Sequence, residues 1–116
     1  MTQKPKQDFS SLLLDAIDEA LLSLGESVKT SIYFHLERNF KVARTDIPTH
    51  LVEFQTGLEK IFGLGARFLE ILIMKNIYGK INCPLEVKKS DDLEFVKYVE
   101  TARATFLKGC NGEKNR

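Results

Sequence analysis

Apolar residues recur at intervals of three and four along most of this chain, and Gly, Pro and Asn interrupt the pattern at regular points. Phe9, Leu13, Ala16, Ile17, Ala20, Leu21 and Leu24 lie on one stripe of a first helix. Asp8 and Ser10 are both suitable N-caps for it, and Gly25 is the expected left-handed stop. Ser27 is placed to cap a second helix reaching to about Phe40. Its seam is Val28, Ile32, Leu36 and Phe40, widened by Tyr33 and Phe34. Residues 42–45 read as a loop. Asp46-Ile47-Pro48 is a helix-start signal, because Pro is tolerated in a first turn.

A third helix carries Leu51, Phe54, Leu58, Ile61 and Phe62, and Gly63-Leu64-Gly65 ends it. A fourth, from about Leu64 to Ile81, is apolar on most of its faces: Phe68, Leu69, Ile71, Leu72, Ile73, Met74, Ile77 and Tyr78. Such a helix is expected at the centre, covered by its neighbours. Asn82-Cys83-Pro84 breaks the pattern and residues 85–89 connect. Ser90 or Asp91 caps a fifth helix, with Asp91 and Glu94 at capping-box spacing. Leu93, Val96, Val99, Ala102, Phe106 and Leu107 follow at helical period, and Gly109 ends it. The expected fold is all-α, a compact bundle of about five helices with short connections and no sheet. Residues 8–82 form a four-helix core module. Residues 83–109 add a connector and a fifth helix packed on that core, and 1–7 and 110–116 are flexible tails.

Composition changes this picture little. With 116 residues, 43% apolar and 28% charged, the chain is a single ordinary domain. A net charge of +1 gives no global reason to bind nucleic acid or an anionic membrane. Cys83 and Cys110 have no neighbours at metal-ligand spacing, and the expectation is two free thiols in a reducing cytoplasm. No apolar run is long enough to be a signal peptide or a membrane span.

Several motifs resemble chemistry. Residues 21–40 look like the turn and second helix of a helix-turn-helix, with Lys29, Thr30, Tyr33, Arg38 and Lys41 as candidate DNA contacts. The preceding helix opposes this: Asp8 to Glu26 holds five carboxylates and no Lys or Arg, and no wing follows. Gly63-Leu64-Gly65-Ala66-Arg67 superficially resembles a phosphate loop but lacks the strand and βαβ unit that such loops require. His35, near the apolar face of the second helix, and His50, in the first turn of the third, have no converging third ligand. Asp91 and Asp92 suit a helix N-terminus. No nucleophile–base pair is marked, so no catalytic residue, metal or cofactor is expected. Phe34, Phe40, Phe54, Phe62 and Phe68 read as a shared aromatic core. Tyr33, Phe34 and Tyr78 are the candidate partner surface if surplus apolar area faces solvent.

Ser27–Phe40 (SVKTSIYFHLERNF), the Asp46–Pro48 triplet and Leu58–Ile81 (LEKIFGLGARFLEILIMKNIYGKI) together resemble the type-five Nitrosopumilus output domain, a small archaeal family. The likeness covers about Ala20 to Ile81 and is most specific from Leu58 to Glu70. It implies an all-α module with a signalling or regulatory role. It carries over no catalytic or binding residue, and the helix after Asp91 lies outside it. The leading expectation is a non-enzymatic interaction or signalling module that binds a protein partner or forms a homodimer, in the cytoplasm and not on a membrane. The alternative is a DNA-binding regulator using Ser27–Lys41. A weaker one is a small-ligand sensor or enzyme with a pocket between the third and fourth helices.

Overall fold

The computed structural model describes residues 8–85 and 94–108. Those residues form five α-helices and two 3-10 helices, and no strand: α1 Phe9–Leu22, α2 Glu26–Phe40, a 3-10 helix Arg44–Thr49, α3 Leu51–Phe62, a 3-10 turn Gly63–Gly65, α4 Ala66–Lys80 and α5 Phe95–Lys108. The all-α expectation holds. The expected caps at Ser90 and Asp91, the capping box with Glu94, the connector beyond Leu85, the stop at Gly109 and both tails lie outside the described residues.

The core is built on α1 and α4, which pack against each other more extensively than any other pair. From α1 it takes Leu13, Ala16, Ile17, Ala20 and Leu21, and from α4 Leu69, Ile73, Met74 and Ile77. Two polar clasps fasten the same pair. The Asn76 side-chain amide donates to the Ala16 carbonyl at 3.1 Å, and Lys80 pairs with Glu19 at 2.7 Å. Helix α5 covers α4 through Phe95, Val99 and Ala102. Phe95 meets Phe54 of α3 with ring centroids 6.1 Å apart, and Phe106 meets Phe9 of α1 at 5.8 Å.

Several local expectations are corrected. Asp8, one of the two expected caps, does cap α1 and accepts from the Ser11 amide at 2.9 Å, but the helix ends before Leu24, which is exposed. Gly25, at φ +113, is the N-cap of α2 and not a left-handed stop for α1; Ser27 lies inside α2 and does not cap it. A left-handed residue instead closes α2: Lys41, at φ +59. The α2 seam is narrower than its spacing suggests: Ile32 and Leu36 are buried, Phe40 is partly buried, and Val28 and Phe34 face water. Asp46-Ile47-Pro48 does not start a helix: it lies inside a short 3-10 helix that begins at Arg44, and α3 begins afresh at Leu51. A six-residue 3-10 helix accommodates Pro48 because few N–H groups of so short an element need partners. Of the five phenylalanines read as one aromatic core, only Phe54 is fully buried, whereas Phe34 and Phe68 are exposed. Cys83 is disulfide-bonded and not a free thiol. Cys110, the other cysteine of the chain, lies outside the described residues. Spacing along a chain says nothing of which thiols a fold brings together, so the inference from spacing to a reducing compartment loses its premise.

Candidate interaction surface

The most connected polar cluster joins α1, α2 and the 3-10 helix Arg44–Thr49. Arg44 holds the Asp18 carboxylate in a two-point grip, Nε to Oδ1 at 3.0 Å and Nη2 to Oδ2 at 2.6 Å. The Tyr33 hydroxyl donates to Oδ1 of the same carboxylate at 2.6 Å. Burial alone would push the Asp18 carboxyl up, but the Arg44 and Tyr33 hydrogen bonds outweigh it and hold it below its ordinary value. Burial, and then the carboxylate beside it, hold the Tyr33 phenol well above its usual range. The Tyr33 hydroxyl and both Asp18 oxygens are engaged within the cluster. The arrangement suits a staple between three elements better than acid–base chemistry.

This staple changes the sequence-level candidates. Tyr33 is half-buried and committed to Asp18. Tyr78 is only 7% exposed, and its hydroxyl donates to the Tyr98 carbonyl of α5 at 3.0 Å. Both are withdrawn from the candidate partner surface, because each aromatic body is needed between helices and its hydroxyl has an internal partner. Phe34 remains at the surface, 55% exposed, with the Arg38 guanidinium 5.8 Å from its ring centre and His35 edge-on beside it. His35 is therefore exposed and not partly buried, with Asn39 within 3.4 Å of its ring nitrogen. His50 is exposed too, and its Nδ1 lies 3.0 Å from the Asp46 carbonyl. The described residues contain no group of three or more His, Cys, Asp or Glu side chains able to hold a metal.

Among the candidate DNA contacts, Thr30, Arg38 and Lys41 are exposed and Lys29 is half-buried. Arg44, which would continue a basic face beyond them, is spent on Asp18. Glu26 and Glu37 are exposed on the same helix. The pocket considered between the third and fourth helices has a counterpart elsewhere. An open groove of about 250 Å³ lies where the 3-10 helix Arg44–Thr49 and the start of α3 meet α5. Pro48, Leu51, Val52 and Val96 line it with Glu53 and Glu100. Arg103 ties it together by donating to the Pro48 carbonyl at 2.9 Å and to Glu100 at 3.1 Å.

The exposed feature that sequence reasoning missed is the corner between α3 and α4. Leu64 is 96% exposed and Phe68 78% exposed. Leu64 lies in the 3-10 turn and Phe68 follows four residues on, in the first turn of α4. Ile71 and Leu72, three and four residues beyond Phe68, are half-buried, as are Ile61 and Phe62 at the end of α3. Phe62 Cβ lies only 3.8 Å from where a side chain on Gly65 would begin, so the end of α3 stands beside the turn. Gly63, at φ +59 and ψ −131, makes that turn in a conformation open to glycine and penalised for residues with a Cβ. Behind the exposed pair, Ala66, Leu69 and Ile73 anchor α4 in the core. The signal was present in the sequence as the near-continuous apolar face of this helix. Such a face predicts a helix covered by its neighbours, whereas they cover only part of it.

One buried charge sits on the same segment. Glu70 is 3% exposed and its Oε2 atom has no hydrogen-bond partner. Burial and, next, the charge of Glu59 push its carboxyl above the ordinary carboxylate value. Gln55 and Arg67 act in the opposite direction. No helix among the described residues is long and apolar enough to cross a membrane. No family model, curated protein or solved structure matches the chain.

Proposed function

We propose that this chain is a non-enzymatic helical interaction module, acting by binding a protein partner or a second copy of itself. The observation that carries the reading is the α3–α4 corner, where Leu64 and Phe68 stand in water on a well-anchored turn. Scattered single apolar residues are normal on a surface. Two large ones four residues apart at one corner, with Ile61, Phe62, Ile71 and Leu72 half-buried in the flanking helices, form a patch of the kind that marks binding sites. The resemblance to an archaeal output domain agrees with a signalling role for such a module.

Duplex DNA draws less support. Arg44 is tied to Asp18 and Lys80 to Glu19, so these two cations are engaged within the chain and not offered to phosphates. The groove at α5 is open to solvent, whereas small-ligand sites are concave and bury most of their ligand.

The test is capture of binding partners from an extract, compared between the wild-type chain and the Phe68→Asp and Leu64→Asp variants, beside a gel-shift assay with mixed-sequence duplex. The expected result is a specific partner, or the chain itself, retained by the wild type and lost in both variants, with no salt-sensitive DNA shift. Identical retention by all three proteins would end the assignment to this corner, and a strong salt-dependent shift would promote DNA binding.

A further inference from the structure

Resting on that interaction reading, we propose that the occupant of the α3–α4 corner is a second copy of this chain, docked corner to corner about a two-fold axis. The first argument is area. Leu64 and Phe68 leave on the order of 300 Å² of side chain in water, given the 150–250 Å² that a large aromatic side chain buries when covered. The half-buried Ile61, Phe62, Ile71 and Leu72 widen the patch to about 500 Å², within the size range of functional patches on monomers. Two such patches face to face supply about 1,000 Å² of apolar surface. That is close to the apolar share of a standard interface of about 1,600 Å².

The second argument is charge. A two-fold interface sets one rim against the same rim, so a rim of a single sign repels itself. Here Glu59 and Lys60 lie on the α3 side of the corner and Arg67 on the α4 side, all exposed, with Glu59 and Arg67 also acting on the buried Glu70. A rim that carries both signs does not repel its own copy. The third argument is preorganisation. The turn at Gly63 and the buried Ala66, Leu69 and Ile73 hold the patch in shape before anything binds, which lowers the ordering cost of association.

The test is sedimentation velocity on the full chain from about 1 μM to about 1 mM, the span over which interfaces of modest size dissociate. The wild type is expected to pass from monomer to dimer with concentration, with little change between low and high salt. Phe68→Asp and Leu64→Asp are each expected to weaken the dimer at least tenfold, with circular dichroism and thermal midpoint unchanged. A dimer that both variants leave intact would overturn the proposal, as would a wild type that stays monomeric throughout the range. If that monomer still captures a partner through Leu64 and Phe68, the second-copy inference falls and the interaction reading stands. If Phe68→Asp instead loses stability as a buried position would, the chain covers this patch itself and both fall.

Discussion

Glu70 shows at the scale of one residue how much a buried carboxyl shapes its surroundings. Its uncharged form suits the site, because burial and then Glu59 both disfavour the charge. The folded state therefore binds this proton more tightly than the unfolded chain does. Its contribution to stability is full in acid, below the unfolded value of about 4.3, and is lost as pH rises through the higher folded value. Asp18 works in the other direction. Its carboxyl is held low, so its contribution is present above the unfolded value and disappears as pH falls through the folded one. Glu70→Gln keeps the shape and removes the charge. It is expected to raise stability near neutral pH by on the order of 1 kcal/mol and to flatten the decline that sets in as pH rises above the unfolded value of about 4.3. Urea denaturation of both proteins across that range is the measurement. An unchanged slope would mean that Glu70 ionises freely in the folded chain.

Between elements, the approach of α2 to α3 depends on Gly57. A Cβ at this buried position would run into Leu36 Cδ2 and stand 3.3 Å from the Phe40 ring. Leu36 is itself fully buried, so it has little room to withdraw. Alanine favours a helix interior over glycine by about 1 kcal/mol, whereas overpacking a core costs about 1–3 kcal/mol. Gly57→Ala is therefore expected to destabilise on balance, with Phe40 made more mobile. Gly63→Ala is expected to cost on the order of 1 kcal/mol for a different reason, the positive φ of the corner with open space around it. Chemical denaturation of the two variants, each combined with Leu36→Ala, separates the causes. The smaller neighbour should relieve Gly57→Ala and leave the Gly63→Ala cost as it was.

For the molecule as a whole, stability rests on the α1–α4 pair. Ile73 is fully buried there, and its neighbour in sequence, Leu72, is half-buried at the edge of the core. Ile73→Ala is expected to cost about 2–5 kcal/mol, the range for a truncated core aliphatic, and Leu72→Ala clearly less. Equal losses in a denaturation series would place Leu72 in the core and leave the patch smaller than described. The same asymmetry bears on function: α4 is both the spine of the fold and, by its uncovered face, the element that presents Phe68.

The alternation of apolar stripes with Gly, Pro and Asn determined the helical class, the approximate position of each described helix and the break at residues 63–65, because these follow from local periodicity and backbone preference. Local pattern also places the 3-10 element near Pro48, though not its kind. Tertiary structure decided the rest. Whether Tyr33 and Tyr78 faced water depended on Asp18, Arg44 and the α5 backbone, each distant in sequence. The state of Cys83 likewise depended on the fold. The candidate surface moved from α2 to the α3–α4 corner because an apolar face on a helix says how much surface seeks cover, not how much of it the neighbours supply. Only the packing of α1, α3 and α5 around α4 settles that, and it leaves Leu64 and Phe68 outside.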